Sequence, residues 1–179
     1  MPKLAQVDAS WTLFLDRDGV INERVMGGYI LRFSDFQFKK NVLTSAKELF
    51  GKFGRVIVVT NQQCVAKGLI SANDLTEIHQ QMMDVFQENG AKIDRVFAAL
   101  ERKGEAPFMR KPNPTMAHMA KAEFATIDFS KSIMVGDTDS DLLFGKELGM
   151  KTVLIETEEK ISVQADVQLK ELGQLIDFI

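Results

Sequence analysis

Two aspartates follow directly on an apolar run near the start of the chain. The segment TLFLDRDGVIN, residues 12–22, is apolar as far as Leu15 and then places Asp16 and Asp18 two residues apart, followed by Gly19. Two carboxylates so close together raise each other's pKa unless a cation lies between them. A hard divalent cation such as Mg2+, which prefers oxygen ligands, relieves that repulsion. The spacing therefore predicts a magnesium site at the end of a buried strand.

Four more polar residues follow later apolar runs, and they are Thr60, Asn61, Lys111 and Asp137. If the runs are parallel strands, their carboxyl ends meet at one edge of a sheet, where open α/β sheets bind ligands. That edge would gather carboxylates, a hydroxyl, an amide and an ammonium group. Such a set suits a phosphate, because the metal and the lysine neutralise its oxygens and let an anionic carboxylate approach the phosphorus.

These residues predict phosphoryl transfer through an aspartyl-phosphate intermediate. Asp16, at the tip of the first strand, is the candidate nucleophile. Asp18, two residues further on, is placed to protonate the leaving oxygen and later to take a proton from the attacking water. Gly19 would let the backbone turn sharply at this point.

Short apolar runs alternate with helical patterns along the chain. The runs that predict strands are residues 11–15, 56–59, 96–100, 133–135 and 152–155. The patterns that predict helices cover residues 41–53, 71–89, 113–124, 139–149 and 168–178. This alternation implies right-handed crossovers. We expect an α/β fold, a Rossmann-like three-layer sandwich with a mainly parallel five-stranded sheet, helices on both faces and a small flap or hairpin over residues 23–40.

Composition and charge narrow the class of protein. A length of 179 residues fits one domain, and 45% hydrophobic with 26% charged residues is usual for a globular protein. The net charge of -3 gives no general attraction to nucleic acid or anionic lipid. The first residues lack the apolar run of a signal peptide, and no segment has the roughly 18 apolar residues of a membrane span, so we expect a cytoplasmic protein. One cysteine and two histidines cannot form a closed Cys/His zinc site.

The motifs together resemble those of the haloacid dehalogenase (HAD) superfamily, in particular its capless histidinol-phosphate and heptose-bisphosphate phosphatase-like branch. Four segments carry the resemblance, and they are DRDGVIN at residues 16–22, VVTNQQCVAKG at 58–68, RKPNPTM at 110–116 and VGDTDSD at 135–141. The resemblance implies one HAD-like hydrolase domain over residues 1–179 without a separate cap domain, and Mg2+ as the cofactor.

The resemblance also implies a role for each matching residue. Asp16 would be the nucleophile and a metal ligand, Asp137 would be a metal ligand, and Asp18 would be the acid and base, with its backbone carbonyl on the metal. Thr60 and Lys111 would bind phosphate, and Asn61 would help to shape the pocket. Arg110 would contact the substrate, and Asp141 would orient Lys111 or metal-bound water.

The expected function is that of a magnesium-dependent phosphomonoesterase for a small phosphorylated metabolite, either a sugar phosphate or histidinol phosphate. The segment LERKGEAPFMRKP, residues 100–112, has no cysteine or histidine where heptose-bisphosphate phosphatases usually carry a zinc loop, so no zinc is expected.

Three alternatives stay open. Polynucleotide 3'-phosphatases share the TNQ and RKP-like segments, but the missing basic field disfavours nucleic acid as a partner. A regulatory domain that binds phosphate without turnover is disfavoured by the intact pair Asp16 and Asp18. A phosphotransferase or mutase would pass the phosphoryl group to an acceptor other than water.

Overall fold

Six parallel β-strands form the sheet of the protein. The computed structural model describes residues 3–106 and 108–179. The strands are β1 (Thr12–Leu15), β2 (Arg55–Asn61), β3 (Arg95–Ala99), β4 (Ser132–Gly136), β5 (Lys151–Ile155) and β6 (Val167–Leu169). Their order is β3-β2-β1-β4-β5-β6, that of a doubly wound Rossmann-like fold. The strand order reverses between β1 and β4, and ligands of such folds bind beyond the strand ends at the reversal. The predicted fold class is therefore confirmed.

Four α-helices lie within the ranges that their sequence patterns predict. They are α1 (Val42–Phe50), α2 (Ala72–Glu88), α3 (Thr115–Glu123) and α4 (Asp139–Glu147). Ser71 and Asp74 form a capping box at the start of α2, in which each side chain accepts a hydrogen bond from the other residue's backbone nitrogen. Within the two described ranges, no helix has the length and apolar character needed to cross a membrane.

Side chains of β1 alternate between the two faces of the sheet, because successive residues of a strand point to opposite sides. Leu13 and Leu15 join an apolar cluster with α1, α2 and the C-terminal segment, whereas Phe14 joins a second cluster with α3 and α4. All three side chains are completely buried. Helices therefore cover both faces, and the sheet is the middle layer of the predicted sandwich.

The C-terminal segment differs from the helix predicted over residues 168–178. Val167–Leu169 instead adds a sixth strand, parallel to β5, and Leu172–Phe178 forms a 3-10 helix. Within the 3-10 helix the buried leucines are three residues apart, at positions 172 and 175. That spacing matches the three residues per turn of a 3-10 helix better than the 3.6 of an α-helix. The prediction of a terminal α-helix is wrong, and the predicted sheet is one strand short.

Residues 23–40 form an irregular flap beside β1 rather than a regular hairpin. Isolated bridges pair Asn22 with Asp18 and with Phe38, instead of a continuous ladder. The flap phenylalanines 33, 36 and 38 pack against one another, and the ring of Phe38 lies edge-on to Phe86 of α2 at 5.7 Å between centroids. Aromatic packing therefore anchors the flap on α2, while its first part, residues 24–30, faces a cavity.

Candidate active site

Four predicted site residues lie together at one edge of the sheet, three of them at the ends of strands and one in a loop. Asp16 follows β1, Asp137 follows β4, Thr60 is the last but one residue of β2, and Lys111 lies in the loop after β3. No residue of this group is more than 6% exposed. Because the strands are parallel, all four residues lie at the carboxyl edge of the sheet.

Lys111 lies at the centre of this group. Its Nζ is 2.8 Å from Asp16 Oδ1 and 2.6 Å from Asp141 Oδ1, and it donates a 2.7 Å hydrogen bond to the carbonyl of Val59. Burial alone would lower the pKa of Lys111, but the carboxylates of Asp141 and Asp16 outweigh burial and raise it. Lys111 is therefore a fixed, fully charged cation between two buried carboxylates.

The start of α4 fixes Asp141 in this position. Thr138 is the N-cap, and its backbone nitrogen and Oγ1 donate hydrogen bonds of 3.1 and 2.7 Å to Asp141 Oδ2. Gly136 leaves room for the carboxylate, since a Cβ at this position would lie 2.1 Å from Asp141 Cβ. Asp141 thus presents Oδ1 to Lys111, in the geometry of a carboxylate that orients the lysine.

Asn61 and Thr60, at the end of β2, make different contacts. Asn61 Oδ1 accepts a 3.0 Å hydrogen bond from the backbone nitrogen of Lys111, and its Nδ2 donates to the Lys111 carbonyl at 3.3 Å. Thr60 Oγ1 accepts a 2.8 Å hydrogen bond from Gln62 Nε2, and a hydroxyl that accepts one bond can still donate its own proton. Asn61 therefore holds the backbone of Lys111, and Thr60 offers a donor to a ligand.

Asp18 lies in a different environment from Asp16. Arg17 Nη2 donates to both carboxylate oxygens of Asp18 at 2.9 Å, and the side-chain amides of Asn22 and Gln62 donate at 2.9 and 2.7 Å. Burial would raise the pKa of Asp18, but the Arg17 charge and these donors outweigh burial and lower it. Asp18 is therefore held as a carboxylate, the form that accepts a proton.

His79 of α2 completes the contacts of Arg17. Arg17 is completely buried, and its Nη1 lies 3.0 Å from His79 Nε2. Burial and the Arg17 charge lower the pKa of His79 to about 3. The imidazole is therefore neutral near pH 7 and accepts a hydrogen bond from Arg17, whose remaining donors face Asp18.

Three carboxylates, those of Asp16, Asp137 and Asp141, face only two cations among the described residues, Lys111 and Arg24. Burial raises the pKa of Asp16 to about 6 although Lys111 opposes it. Burial and repulsion from Asp16 raise the pKa of Asp137 to about 7, although Arg24 Nη2 donates a 2.6 Å hydrogen bond to Asp137 Oδ1. Oxygen atoms of Asp16, Asp137 and Asp141 lie within 4.8 Å of one another. A divalent cation at this place would offset the surplus charge.

The donor set at this place fits Mg2+. The ion prefers oxygen ligands and usually takes one or two carboxylates, which Asp16 and Asp137 supply. The Asp18 side chain is bound to Arg17, Asn22 and Gln62. Its backbone carbonyl lies near Asp137, because Arg24 Nη2 contacts both, at 3.3 Å from the carbonyl oxygen. Gly19 has a φ of 91°, and a Cβ there would lie 1.9 Å from Asp137 Oδ2. Only glycine therefore lets the end of β1 approach Asp137 so closely.

A cavity of about 660 Å³ opens above this group. We call Asp16, Lys111, Asp137 and Asp141 the floor. We call the flap residues 24–30, Lys67, Arg110 and residues 159–161 the mouth, since all of them line the cavity. The volume is in the range of small-molecule pockets, roughly 300 to 1,000 Å³. Four cations lie in the mouth, and they are Arg24, Lys67, Arg110 and Lys160. The cavity therefore suits a small anionic ligand.

Arg110 lies in the mouth, where a substrate contact is predicted for it. Its backbone nitrogen donates a 2.7 Å hydrogen bond to Oε1 of the buried Glu101. Its Nη1 is buried and has no hydrogen-bond partner among the described residues, and burial lowers the pKa of its guanidinium although Glu101 opposes this. A guanidinium nitrogen in this condition gains a charge-assisted hydrogen bond when an anion enters.

Asp139 holds the loop after β5, which forms part of the mouth. Its carboxylate accepts hydrogen bonds of 3.0 Å from the backbone nitrogens of Ser162 and Val163, and one from the Ser162 hydroxyl. These bonds, with the Ser162 hydroxyl foremost, lower the pKa of Asp139. They hold the segment whose residues 159–161 line the cavity.

Several contact residues of the site lie outside the predicted set, and they are Arg17, Arg24, Gln62, His79 and Glu101. Arg17 and Gln62 adjoin predicted residues inside the DRDG and TNQQ motifs, and this adjacency is the signal that identifies them. The other three reach the site through the path of the flap, the rotation of α2 and the loop after β3. No local spacing in the sequence marks them.

Known proteins resemble this chain in sequence. A family model described as HAD-hydrolase-like matches residues 108–171. The D-glycero-alpha-D-manno-heptose-1,7-bisphosphate 7-phosphatase of Burkholderia mallei is 33% identical over 180 residues, covering 93% of this chain and 92% of that protein. The D-glycero-beta-D-manno-heptose-1,7-bisphosphate 7-phosphatase of Helicobacter pylori is 29% identical over 169 residues, covering 93% of this chain and 96% of that protein.

A solved structure has the same fold. The D,D-heptose 1,7-bisphosphate phosphatase from B. bronchiseptica, complexed with magnesium and phosphate, superposes with a TM-score of 0.83 at 22% sequence identity, over 93% of this chain and 96% of that one. At this identity the likeness shows the fold, while the B. mallei relative, matched over nearly its whole length, shows the family. The chain belongs to the same family of HAD-like phosphatases as these relatives and is a hydrolase of phosphoric monoesters.

Proposed function

We propose that this phosphatase uses Mg2+ to remove one phosphate group from a small doubly phosphorylated sugar, and that a D-glycero-manno-heptose 1,7-bisphosphate is the first substrate to test. The names of the relatives support this sugar, and the magnesium and phosphate of the B. bronchiseptica structure support the cofactor. One observation carries the proposal: Lys111 Nζ lies 2.8 Å from Asp16 Oδ1 at the floor of a cavity with a cationic mouth.

Asp16 is the nucleophile of the proposed reaction. One of its carboxylate oxygens attacks the phosphorus, the ester P–O bond breaks, and an aspartyl phosphate forms. Lys111 and Thr60 bind oxygens of the group that is transferred. Asp16, Asp137 and the carbonyl of Asp18 would hold Mg2+, which supplies positive charge against the phosphoryl oxygens.

Asp18 is the acid and the base of the proposed reaction. It gives a proton to the leaving oxygen and takes one back from the water that attacks the aspartyl phosphate, which releases phosphate and restores Asp16. Since Arg17 holds Asp18 as a carboxylate, Asp18 must turn from Arg17 and bind a proton before it can donate. Gln62 Nε2 bridges Asp18 and Thr60 at 2.7 and 2.8 Å, so occupation of the phosphate site can influence this turn.

We also propose that the chain works as one domain, in which the flap takes the position of a cap. Residues 24–30 of the flap line the cavity, and Phe38 anchors the flap on α2. Substrate selection then depends on the mouth rather than on a second domain.

Phosphate release from a substrate panel tests the proposal. The panel contains both anomers of the heptose bisphosphate, other sugar mono- and bisphosphates, histidinol phosphate, nucleotides and 3'-phosphorylated DNA, each with MgCl2 or EDTA. The control is the Asp16→Asn variant, which leaves the rest of the floor in place. We expect magnesium-dependent release from a sugar bisphosphate that the variant has lost.

Other outcomes separate the alternatives. Preferred cleavage of histidinol phosphate would change the substrate class, and cleavage of the DNA end would favour a polynucleotide 3'-phosphatase. Transfer of the phosphoryl group to an added alcohol in preference to water would indicate a phosphotransferase. Equal release in EDTA and in MgCl2 would refute the role of the metal.

A further inference from the structure

We infer that Arg24 competes with the divalent cation for its ligands and ties the flap to the site when that cation is not bound. The inference rests on the proposed magnesium site. One nitrogen, Arg24 Nη2, contacts Asp137 Oδ1 at 2.6 Å and the backbone carbonyl of Asp18 at 3.3 Å. These are two of the three proposed metal ligands, and they come from the ends of two different strands.

The guanidinium and the metal ion compete for Asp137 and for the Asp18 carbonyl. Magnesium binds oxygen at about 2.0 to 2.1 Å, and two cations so close repel strongly where water is largely excluded. The Asp137 side chain is 3% exposed and that of Arg24 is 29% exposed. Arg24 on these two atoms therefore opposes binding of the cation, and the fraction of protein in which Arg24 is already away limits the apparent affinity.

Glu159 offers the displaced arginine a second carboxylate. Arg24 Nη1 lies 3.9 Å from Glu159 Oε1, and the Glu159 side chain is 45% exposed. The contacts of Asp139 with Ser162 and Val163 hold the segment that carries Glu159. Arg24 can therefore move from a buried carboxylate to a half-exposed one while the backbone of the flap stays near the mouth.

The sequence position of Arg24 links metal binding to the flap. Arg24 is the first flap residue that lines the cavity, and its neighbours Val25 and Met26 are largely exposed at the mouth. Its bond to Asp137 draws this part of the flap toward the floor. Release of that bond by the cation loosens the flap at the place where substrate enters.

Calorimetric titration with MgCl2 tests the competition in the full-length chain. The proteins are the wild type, Arg24→Gln, Glu159→Gln and the control Arg32→Gln, in which the changed arginine is in the same flap but 76% exposed and paired with Asp35. We expect Arg24→Gln to bind Mg2+ about tenfold more tightly, which corresponds to about 1.4 kcal/mol. Glu159→Gln should bind it roughly two- to threefold more weakly, because Arg24 then keeps to Asp137. Arg32→Gln should match the wild type.

Thermal unfolding in EDTA provides a readout that is independent of both activity and metal affinity. In EDTA at pH 8, Arg24→Gln should unfold several degrees below the wild type, because buried Asp137 loses its counter-ion. Saturating MgCl2 should close this gap. Arg32→Gln should unfold with the wild type under both conditions.

Two results would overturn the inference. One is an Mg2+ affinity of Arg24→Gln that equals or falls below that of the wild type, and the other is an Mg2+ affinity of Glu159→Gln above that of the wild type. If none of the four proteins binds Mg2+, the magnesium part of the proposed function fails together with the inference. If the affinities follow the expected order but no panel substrate is cleaved, the inference stands and the substrate proposal fails.

Discussion

The floor and the mouth of the cavity are built in different ways. The floor consists of residues at the carboxyl edge of the sheet that are at most 6% exposed and bind one another, as Lys111 binds Asp16 and Asp141. The mouth consists of irregular segments with half-exposed contacts, such as the 2.6 Å hydrogen bond from Lys67 to Tyr29. Chemistry requires fixed groups, whereas the loops around a rigid scaffold can vary without loss of the fold. Changes in the floor should therefore affect turnover and stability, and changes in the mouth should affect the choice of substrate.

The largest effect on turnover is expected from Asp16→Asn. An amide cannot attack phosphorus as a carboxylate does, so phosphate release should fall below detection. Lys111 keeps Asp141 as its partner at 2.6 Å, and burial disfavours the charged form of Asp16 in the folded chain, which raises its pKa. The free energy of unfolding in urea should therefore stay within about 1 kcal/mol of the wild type. Turnover within tenfold of the wild type would exclude Asp16 as the nucleophile.

Lys111→Met should affect both turnover and stability, and so it sharpens the distinction between floor and mouth. It leaves Asp16 and Asp141 buried without their shared cation, and removal of one partner from a buried ion pair costs about 3 to 5 kcal/mol. It also removes the proposed phosphate-binding group, so kcat/KM should fall at least about a hundredfold. Urea unfolding and initial rates provide the two measurements.

Lys103→Met is the matched control for this substitution, since Lys103 precedes Lys111 in the same loop and is exposed. Its free energy of unfolding should change by no more than about 0.5 kcal/mol. Equal stability of the two variants would show that the ion pairs of the floor do not stabilise the fold.

In the metal-free protein, the contribution of Asp137 to the free energy of unfolding should fall as the pH rises. Burial raises the pKa of Asp137 to about 7, above its ordinary value of 3.8. The folded chain therefore holds a proton that the unfolded chain has lost. This contribution to the free energy of unfolding is complete below about pH 4 and is lost as the pH rises through about 7.

Urea unfolding in EDTA between about pH 5 and pH 8 checks this sign. His79 acts in the opposite direction below its ordinary pKa of 6.5, because its folded pKa is lowered to about 3. Asp137→Asn keeps His79 and is therefore the reference. The free energy of unfolding of the wild type minus that of Asp137→Asn should fall with pH, and a difference that rises with pH would contradict the assignment.

The floor is the part of the site that sequence reasoning can predict. Asp16 and Asp137 follow directly on buried apolar runs, and parallel strands bring such positions to one edge. Lys111 belongs to the RKP motif in the loop after β3, and Asn61 holds its backbone at the same edge. The spacing of Asp141 places it in the first turn of a helix that follows Asp137, so the same topology carries it to Lys111.

Apart from Arg110 of the RKP motif, the mouth cannot be predicted in this way, because its contacts depend on the paths of irregular segments. Arg24 meets Asp137 and Glu159 only where the flap and the loop after β5 fold over the edge of the sheet. His79 faces Arg17 because packing sets the rotation of α2, and its helical pattern alone leaves it a surface residue. The C-terminal strand differs from the predicted helix for a related reason, since pairing with β5 rather than apolar spacing decides its structure.

The smallest effect is expected in the mouth, from Lys67→Met. Lys67 Nζ lies 2.6 Å from the Tyr29 hydroxyl and 5.0 Å from the centre of its ring, on an exposed side chain, so the free energy of unfolding should change by no more than about 0.5 kcal/mol. If Lys67 attracts the second phosphate of the substrate, KM for a sugar bisphosphate should rise roughly fivefold, or about 1 kcal/mol, with kcat unchanged. The matched comparison is the corresponding monophosphate, whose KM should not change. An equal rise for both substrates would place Lys67 beside the phosphate that is transferred, and the separation between floor and mouth would then be wrong at this residue.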